Sequence, residues 1–140
     1  MAIRLAATAQ VGIMIIIHVA NKDEYEAEIR SGSYGLSALK RSGFIHCSEL
    51  DTYYLVAPNF KADSAEKLIL VIDTERLSSD VRWEDGGGLD FPHIYGPLNQ
   101  AAIISVLPHH LSRQGEWQPN EELKAFAVNG FRRPWADPNA

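Results

Sequence analysis

The sequence predicts a single α+β domain whose mixed, mostly antiparallel sheet, open to splitting, is flanked by helices. Three observations carry this expectation. A β-branched apolar run, Ile13 to Val19, passes directly into a charged segment with helical punctuation. Several further strand-length apolar segments follow, and the connections between the late ones are too short for helical crossovers. Finally, 140 residues suit one domain, long enough to bury roughly two thirds of its unfolded surface without metal or disulfide staples.

The elements can be justified in order. Ile13 to Val19 is continuously apolar, as expected of a central strand covered on both faces. Asn21 stands at an N-cap position with Glu24 three residues on, which predicts a capping box and a helix from Lys22 to about Arg30. Tyr25, Ala27 or Glu28, and Ile29 form its inner stripe, and Ser31-Gly32 ends it. Ser33 to Ser42 reads as a loop with one short helical turn. Gly43 then opens a short strand, Phe44 to Ser48, and Glu49 to Asn59 has helical spacing closed by Pro58-Asn59.

Leu68 to Ile72 is an all-apolar strand, and Val81 to Glu84 alternates into the flexible turn Asp85-Gly86-Gly87-Gly88. Phe91 to Tyr95 is a short strand stopped by Gly96-Pro97, and Ile103 to Leu107 is the last clear one. The tail differs in texture: Trp117, Phe131 and Trp135 stand among prolines, and Asn120 to Val128 could form a helix capped by Asn120 and stopped by Gly130. The expected organisation is therefore an extension over 1–13, a domain over 14–110, and a C-terminal extension over 111–140. That last piece is expected to pack on the body or on a second copy, the latter giving a homodimer. Met14 is an alternative start to Met1.

Composition removes several function classes. One cysteine excludes an intrachain disulfide framework and a Cys-x-x-Cys zinc pair. A net charge of −5 argues against nucleic acid as a partner, which needs a dense basic face. The longest apolar run, Val11 to Ala20, is broken by Gly12 and His18 and is about half a bilayer span, so no membrane partner is expected. Met1 to Gln10 loosely imitates a signal peptide, but the run behind it leads into a charged helix. A buried first strand in a cytoplasmic protein is the better reading.

His18, His46 and His93 each fall at or near the end of an apolar strand, where an imidazole needs a hydrogen-bond partner or bears a desolvation cost. Polar groups at strand ends commonly converge on one cleft, so the three are expected to share one. His109 and His110, beside Pro108, read as surface residues. In Gly43-Phe44-Ile45-His46-Cys47-Ser48, alternation puts His46 and Ser48 on one face and Cys47 on the other, as a small buried hydrophobe. Ser48 can bind a ligand oxygen or cap the following helix.

Phe91-Pro92-His93-Ile94-Tyr95-Gly96-Pro97 fixes the backbone beneath an imidazole and a phenol, which suits a preorganised site and equally a tight structural corner. Glu84 beside Trp83 can act as a general base or hold a ribose hydroxyl. Gly86-Gly87-Gly88 lacks the spacing of a phosphate loop, and the wide separation of the histidines gives no zinc signature, so no metal is expected. Ser48 has no nucleophile-elbow context.

Taken together, the strand ending in His18, Tyr25 to Tyr34 with Gly32-Ser33-Tyr34, Gly-Phe-Ile-His-Cys-Ser at 43–48, Val81-Arg82-Trp83-Glu84, and Phe-Pro-His-Ile-Tyr-Gly-Pro at 91–97 closely resemble the DUF952 family. The resemblance runs from about Met14 to Leu107; the family's usual tryptophan in the first helix is Tyr25 here. It is a family of small proteins of undetermined function, grouped at superfamily level with the ADP-ribosyltransferase-like fold, a split mixed sheet that binds NAD in a cleft. The resemblance therefore implies NAD or ADP-ribose as the small-molecule ligand, although the residues alone fix no cofactor. It also implies cleavage of the nicotinamide–ribose bond, with a carboxylate stabilising developing positive charge as in glycoside hydrolysis.

The expected catalytic set is Glu84, His46 and His93, with His18, Ser48, Tyr95 and Tyr34 holding the substrate. Two readings of other classes stand beside it: a non-catalytic binding or self-association module, and a metal-dependent hydrolase using the histidines.

Overall fold

A computed structural model describes residues 14–59 and 66–126. In chain order its elements are β1 (Ile15–Asn21), α1 (Lys22–Ile29), β2 (Ser33–Tyr34), α2 (Leu36–Ser42), β3 (Ile45–His46), β4 (Ser48–Glu49) and α3 (Leu50–Val56). They continue as β5 (Lys67–Asp73), β6 (Asp80–Asp85), β7 (Asp90–Tyr95), β8 (Leu98–Asn99), β9 (Ile103–Pro108), β10 (His110–Leu111) and β11 (Trp117–Gln118). Short 3-10 turns lie at Ala57–Asn59, Thr74–Arg76 and Gln100–Ala102, and a longer 3-10 helix at Glu121–Phe126. The fold is thus a small single-domain α+β structure.

A four-stranded sheet, β4-β1-β5-β9, forms its centre, and a three-stranded sheet, β3-β7-β6, lies beside it. Two two-stranded ribbons, β2-β8 and β10-β11, complete the pairing. Every pairing among the described residues is antiparallel, so the split is present and the mixed sheet is not.

The continuous apolar run of β1 has its explanation in two cores. Ile16 and Ala20 face Tyr34, Ile45, Ile94 and Leu98 on one side of the central sheet, with Tyr25 and Ile29 of α1 packed around them. Ile17 faces Leu50, Tyr53, Tyr54 and Leu123 on the other. Both faces of β1 are dry, and alternation has no polar side to occupy.

Several local expectations are corrected. The capping box does not form: Asn21 makes no side-chain cap, its Oδ1 accepting instead from Lys67 Nζ at 3.0 Å. Glu28 is not part of the apolar stripe. Its carboxylate reaches the start of α2, accepting from the backbone N–H groups of Gly35, Leu36 and Ser37 at 2.8, 2.9 and 3.3 Å. That support lets 33–42 hold a strand and a two-turn helix rather than a loop with a single turn. Gly35 enters α2 at φ +117°, with no room for a Cβ beside the Ile45 side chain.

The predicted strand 44–48 is two strands. β3 pairs with β7, whereas β4 pairs with β1, so the chain changes sheets at Cys47. His109 is buried and its Nδ1 meets the Tyr53 hydroxyl at 3.1 Å, contrary to a surface position; His110 is exposed. Asn120 does cap its helix, with Oδ1 accepting from Glu122 N at 2.9 Å, but the helix is 3-10 and its described part ends at Phe126. Trp117 is packed on its own chain, donating to the Tyr53 hydroxyl at 3.3 Å and lying edge-on to Tyr54. The extension 1–13 with its alternative start, Val128, Gly130, Phe131 and Trp135 lie outside the described residues. No described helix is long and apolar enough to cross a membrane.

Candidate functional site

The sheet change at Cys47 builds the site. Because β3 and β4 belong to different sheets, the segment between them bridges the gap, and a cavity of about 380 Å³ opens against β1 and α2. Its polar wall is His18, Arg41, Ser42, His46 and Ser48, and Ile17, Val19, Ala38 and Cys47 supply the apolar part. Among the described residues no carboxylate belongs to that wall. Cys47 is buried, which pushes its thiol well above the usual range and leaves it unreactive.

His18 is fixed at both ring nitrogens. Nδ1 donates to the His46 carbonyl at 2.5 Å, and Nε2 lies 3.0 Å from the Tyr34 hydroxyl. Burial lowers its pKa from 6.5 to about 4, so the ring is neutral at physiological pH. Tyr34 is only 2% exposed and stands behind His18, outside the cavity wall. Its hydroxyl also lies 3.3 Å from Glu24 Oε2, and Glu24 is held by both terminal nitrogens of Arg41 at 3.0 and 3.2 Å. Burial, followed by the charges of Glu24 and Glu28, raises the Tyr34 phenol far above its ordinary value.

The second half of the site is the outer face of the three-stranded sheet. The inner face places Ile45 and Ile94 in the core, so the alternate residues His46, His93 and Tyr95 point outward. Cross-strand register sets His93 opposite both His46 and Arg82. Glu84 Oε1 accepts from His93 Nδ1 at 2.7 Å and from the Tyr95 hydroxyl at 2.6 Å. The Tyr95 bond and then the His93 bond lower the Glu84 pKa, and the same carboxylate raises that of Tyr95. Phe44 stacks on His93 with centroids 4.0 Å apart, and the Arg82 guanidinium lies 4.3 Å above the Tyr95 ring.

His46 belongs to both halves. Its carbonyl holds His18, its ring lines the cavity, and that ring sits edge to face with His93, centroids 5.2 Å apart. Burial, then the neighbouring His93, lowers its pKa. The structure therefore places His18, His46 and Ser48 on one cavity wall and Glu84, His93 and Tyr95 in an adjoining cluster, while Tyr34 supports the wall from behind. His93 does not line the cavity, so the three histidines are neighbours around His46 rather than co-residents of one cleft.

Sequence reasoning missed Glu24, Arg41, Ser42, Phe44 and Arg82. Phe44 had a signal, since it alternates with His46 in the same motif, and Arg41-Ser42 immediately precede that motif. Glu24 had none, because its partners lie 10 and 17 residues away. Among the described residues no group of three or more His, Cys, Asp or Glu side chains could hold a metal ion.

The family model described as "Protein of unknown function (DUF952)" matches residues 19–106. The crystal structure of protein CC0527 from Caulobacter crescentus is similar with a TM-score of 0.67 at 27% identity, covering 78% of this chain and 97% of that one. The solution structure of CC0527 is similar with a TM-score of 0.61 at 25% identity, covering 74% and 91%. No curated protein matches the chain.

Proposed function

The chain belongs to the DUF952 family, and from that premise we propose that it binds a nucleotide-like small molecule, NAD or ADP-ribose, with ADP-ribosyl-type chemistry at Glu84. The observation that carries the reading is the double placement of His46, which joins a carboxylate-free cavity to a hydrogen-bonded carboxylate. The donor set fits such a ligand. Ser42 and Ser48 can address phosphate oxygens, with the Glu24-paired Arg41 beside them, and the cavity volume is in the range of small-molecule sites, enough for part of a dinucleotide.

NAD would supply a glycosidic bond to nicotinamide whose cleavage develops positive charge on the ribose. The chain's own contribution lies at Glu84. Tyr95 and His93 both donate to Oε1, which keeps the group ionised and orients it, while Oε2 accepts no hydrogen bond among the described residues. An ionised, oriented carboxylate stabilises adjacent positive charge and accepts a ribose hydroxyl. His46 stands between this carboxylate and the phosphate donors. The ADP-ribosyltransferase-like superfamily is the context in which this arrangement makes sense, and that link is an analogy of fold.

The test is thermal melting with saturating NAD or ADP-ribose, combined with assay of nicotinamide release. A ligand at about 100 times its Kd adds roughly 2.7 kcal/mol of stability, so binding is readily seen. We expect stabilisation by both, nicotinamide release by the wild type, and retained binding without release in Glu84→Gln. Stabilisation without release in the wild type identifies a binding module instead, and no stabilisation by either ligand overturns the reading.

A further inference from the structure

Tyr34 has one hydroxyl hydrogen and two acceptors, His18 Nε2 at 3.0 Å and Glu24 Oε2 at 3.3 Å. The His46 carbonyl can only accept, so His18 Nδ1 carries a hydrogen. While Nε2 is unprotonated, the one Tyr34 hydrogen can serve either Nε2, the nearer acceptor at 3.0 Å, or Glu24 Oε2, and only its placement on Nε2 leaves the ring satisfied at both nitrogens. Once Nε2 is protonated, it donates to the Tyr34 oxygen, and the hydroxyl hydrogen turns to Glu24. The buried trio thus has two complete hydrogen-bond arrangements that differ by one proton.

The cavity in front of His18 supplies the second observation. Among the described residues its wall carries Arg41, two imidazoles and two hydroxyls but no carboxylate. Arg41 is already matched by Glu24 through two bonds, so the wall has little uncompensated positive charge.

We infer that the cavity is a proton-coupled anion site: a phosphate-type anion entering it is matched by protonation of His18, with Tyr34 re-aiming its hydroxyl from His18 to Glu24. At a pH between the midpoints of the free and the anion-bound protein, the net change is one proton taken from solvent onto Nε2. Tyr34 keeps its own hydrogen, and no other covalent bond is made or broken. The identity of the anion as the diphosphate of a nucleotide rests on the reading above; the protonation step does not.

The groups facing His18 set the direction of the effect. Burial favours the neutral ring, and His46 and Arg41 push the same way, while Glu24 and the His46 carbonyl favour the cation. An anion in the cavity adds to the second set. An opposite charge within a few ångströms moves such a group by about one to three pKa units, enough to bring His18 back toward its ordinary range. Tyr34 makes the charged state tenable by giving Nε2–H an acceptor, and it is a positioning residue with no access to the ligand.

The experiment is a titration of the imidazole nitrogens by NMR on the full chain. In the free protein at pH 7.5 we expect His18 as the Nδ1–H tautomer. Pyrophosphate and ADP-ribose should each raise its titration midpoint by about one unit or more. Glu24→Gln, which removes the carboxylate charge behind Tyr34, should lower the midpoint in the free protein, and that effect should shrink in a Tyr34→Phe background.

An Nε2–H tautomer in the free protein overturns the proposal. So does a Glu24→Gln midpoint equal to the wild-type value, or an anion that binds without moving His18. Pyrophosphate acting while ADP-ribose does not leaves the anion site standing and removes the nucleotide reading. Neither anion binding overturns the site itself. Should Tyr34→Phe fail to fold, the tautomer and the Glu24→Gln titration still decide.

Discussion

The rings of His46 and His93 meet edge to face across β3 and β7, centroids 5.2 Å apart, as direct cross-strand partners. Through this contact a cavity wall and a carboxylate cluster on different sheets become neighbours. His46 is exposed at its ring and serves the fold mainly through its backbone carbonyl. His46→Ala should therefore leave the melting temperature nearly unchanged and weaken ADP-ribose binding about tenfold, roughly 1.4 kcal/mol, in a calorimetric titration. Unchanged affinity would detach the ring from the site.

Acid should destabilise the fold through His18. Its pKa is lowered on folding, so between the ordinary value of 6.5 and about 4 the unfolded chain binds the extra proton. Stability is full above that window and is lost as pH falls through it, by about 3 kcal/mol over the whole span. His46, also lowered, adds in the same direction. Melting curves from pH 7.5 to 4.8 should show a falling midpoint, and His18→Gln should flatten the slope. The range stops above the region where Glu28 and Glu84 regain protons.

Glu28 sustains α2. Burial alone would raise its pKa, but hydrogen bonds from Ser37 and the backbone N–H groups of Gly35, Ser37 and Leu36 outweigh this and lower it. Glu28→Ala leaves those three N–H groups without their acceptor and should cost about 2 kcal/mol in denaturant unfolding, whereas Glu28→Gln keeps an acceptor oxygen and should cost less. Equal losses would show that helix propensity, not this bonding, is at work.

Two glycines of positive φ separate conformation from space. Gly32, φ +98°, has nothing within 4 Å of an added Cβ, so Gly32→Ala should cost only the backbone strain of about 1 kcal/mol. Gly35, φ +117°, would drive the same atom into the Ile45 side chain at the centre of the core beneath His46. Gly35→Ala should cost at least 2 kcal/mol more than Gly32→Ala, read from chemical unfolding of the pair.

Much of the fold was legible because its signals are local. Ile16 and Ile17 announce a strand with two dry faces, and Asp85 to Gly88 announce a hairpin. The strand change at Cys47 was not legible, since it depends on Pro92, whose carbonyl accepts from Cys47 N at 3.0 Å, and on β1 pairing with Ser48. Those partners are remote in sequence. The same distance hid the roles of Glu24 and Glu28, whose local spacing points to a capping box and an inner stripe, whereas in the fold they serve Tyr34, Arg41 and α2. His109 was misplaced because Pro108 reads as a turn, while the aromatic pocket of Tyr53 that takes its ring comes from another element.

The central claim is that the cavity and the Glu84–His93 pair form one small-molecule site joined at His46. The five histidines are built-in reporters: His18, His46 and His93 ring the site, His109 sits in the opposite core, and His110 is on the surface. A titration with ADP-ribose, followed by imidazole carbon–proton correlation spectra, tests this directly. The signals of His18, His46 and His93 should move together with one Kd while those of His109 and His110 stay. Movement of His93 without His18 and His46, or no movement of any of the three, would contradict it.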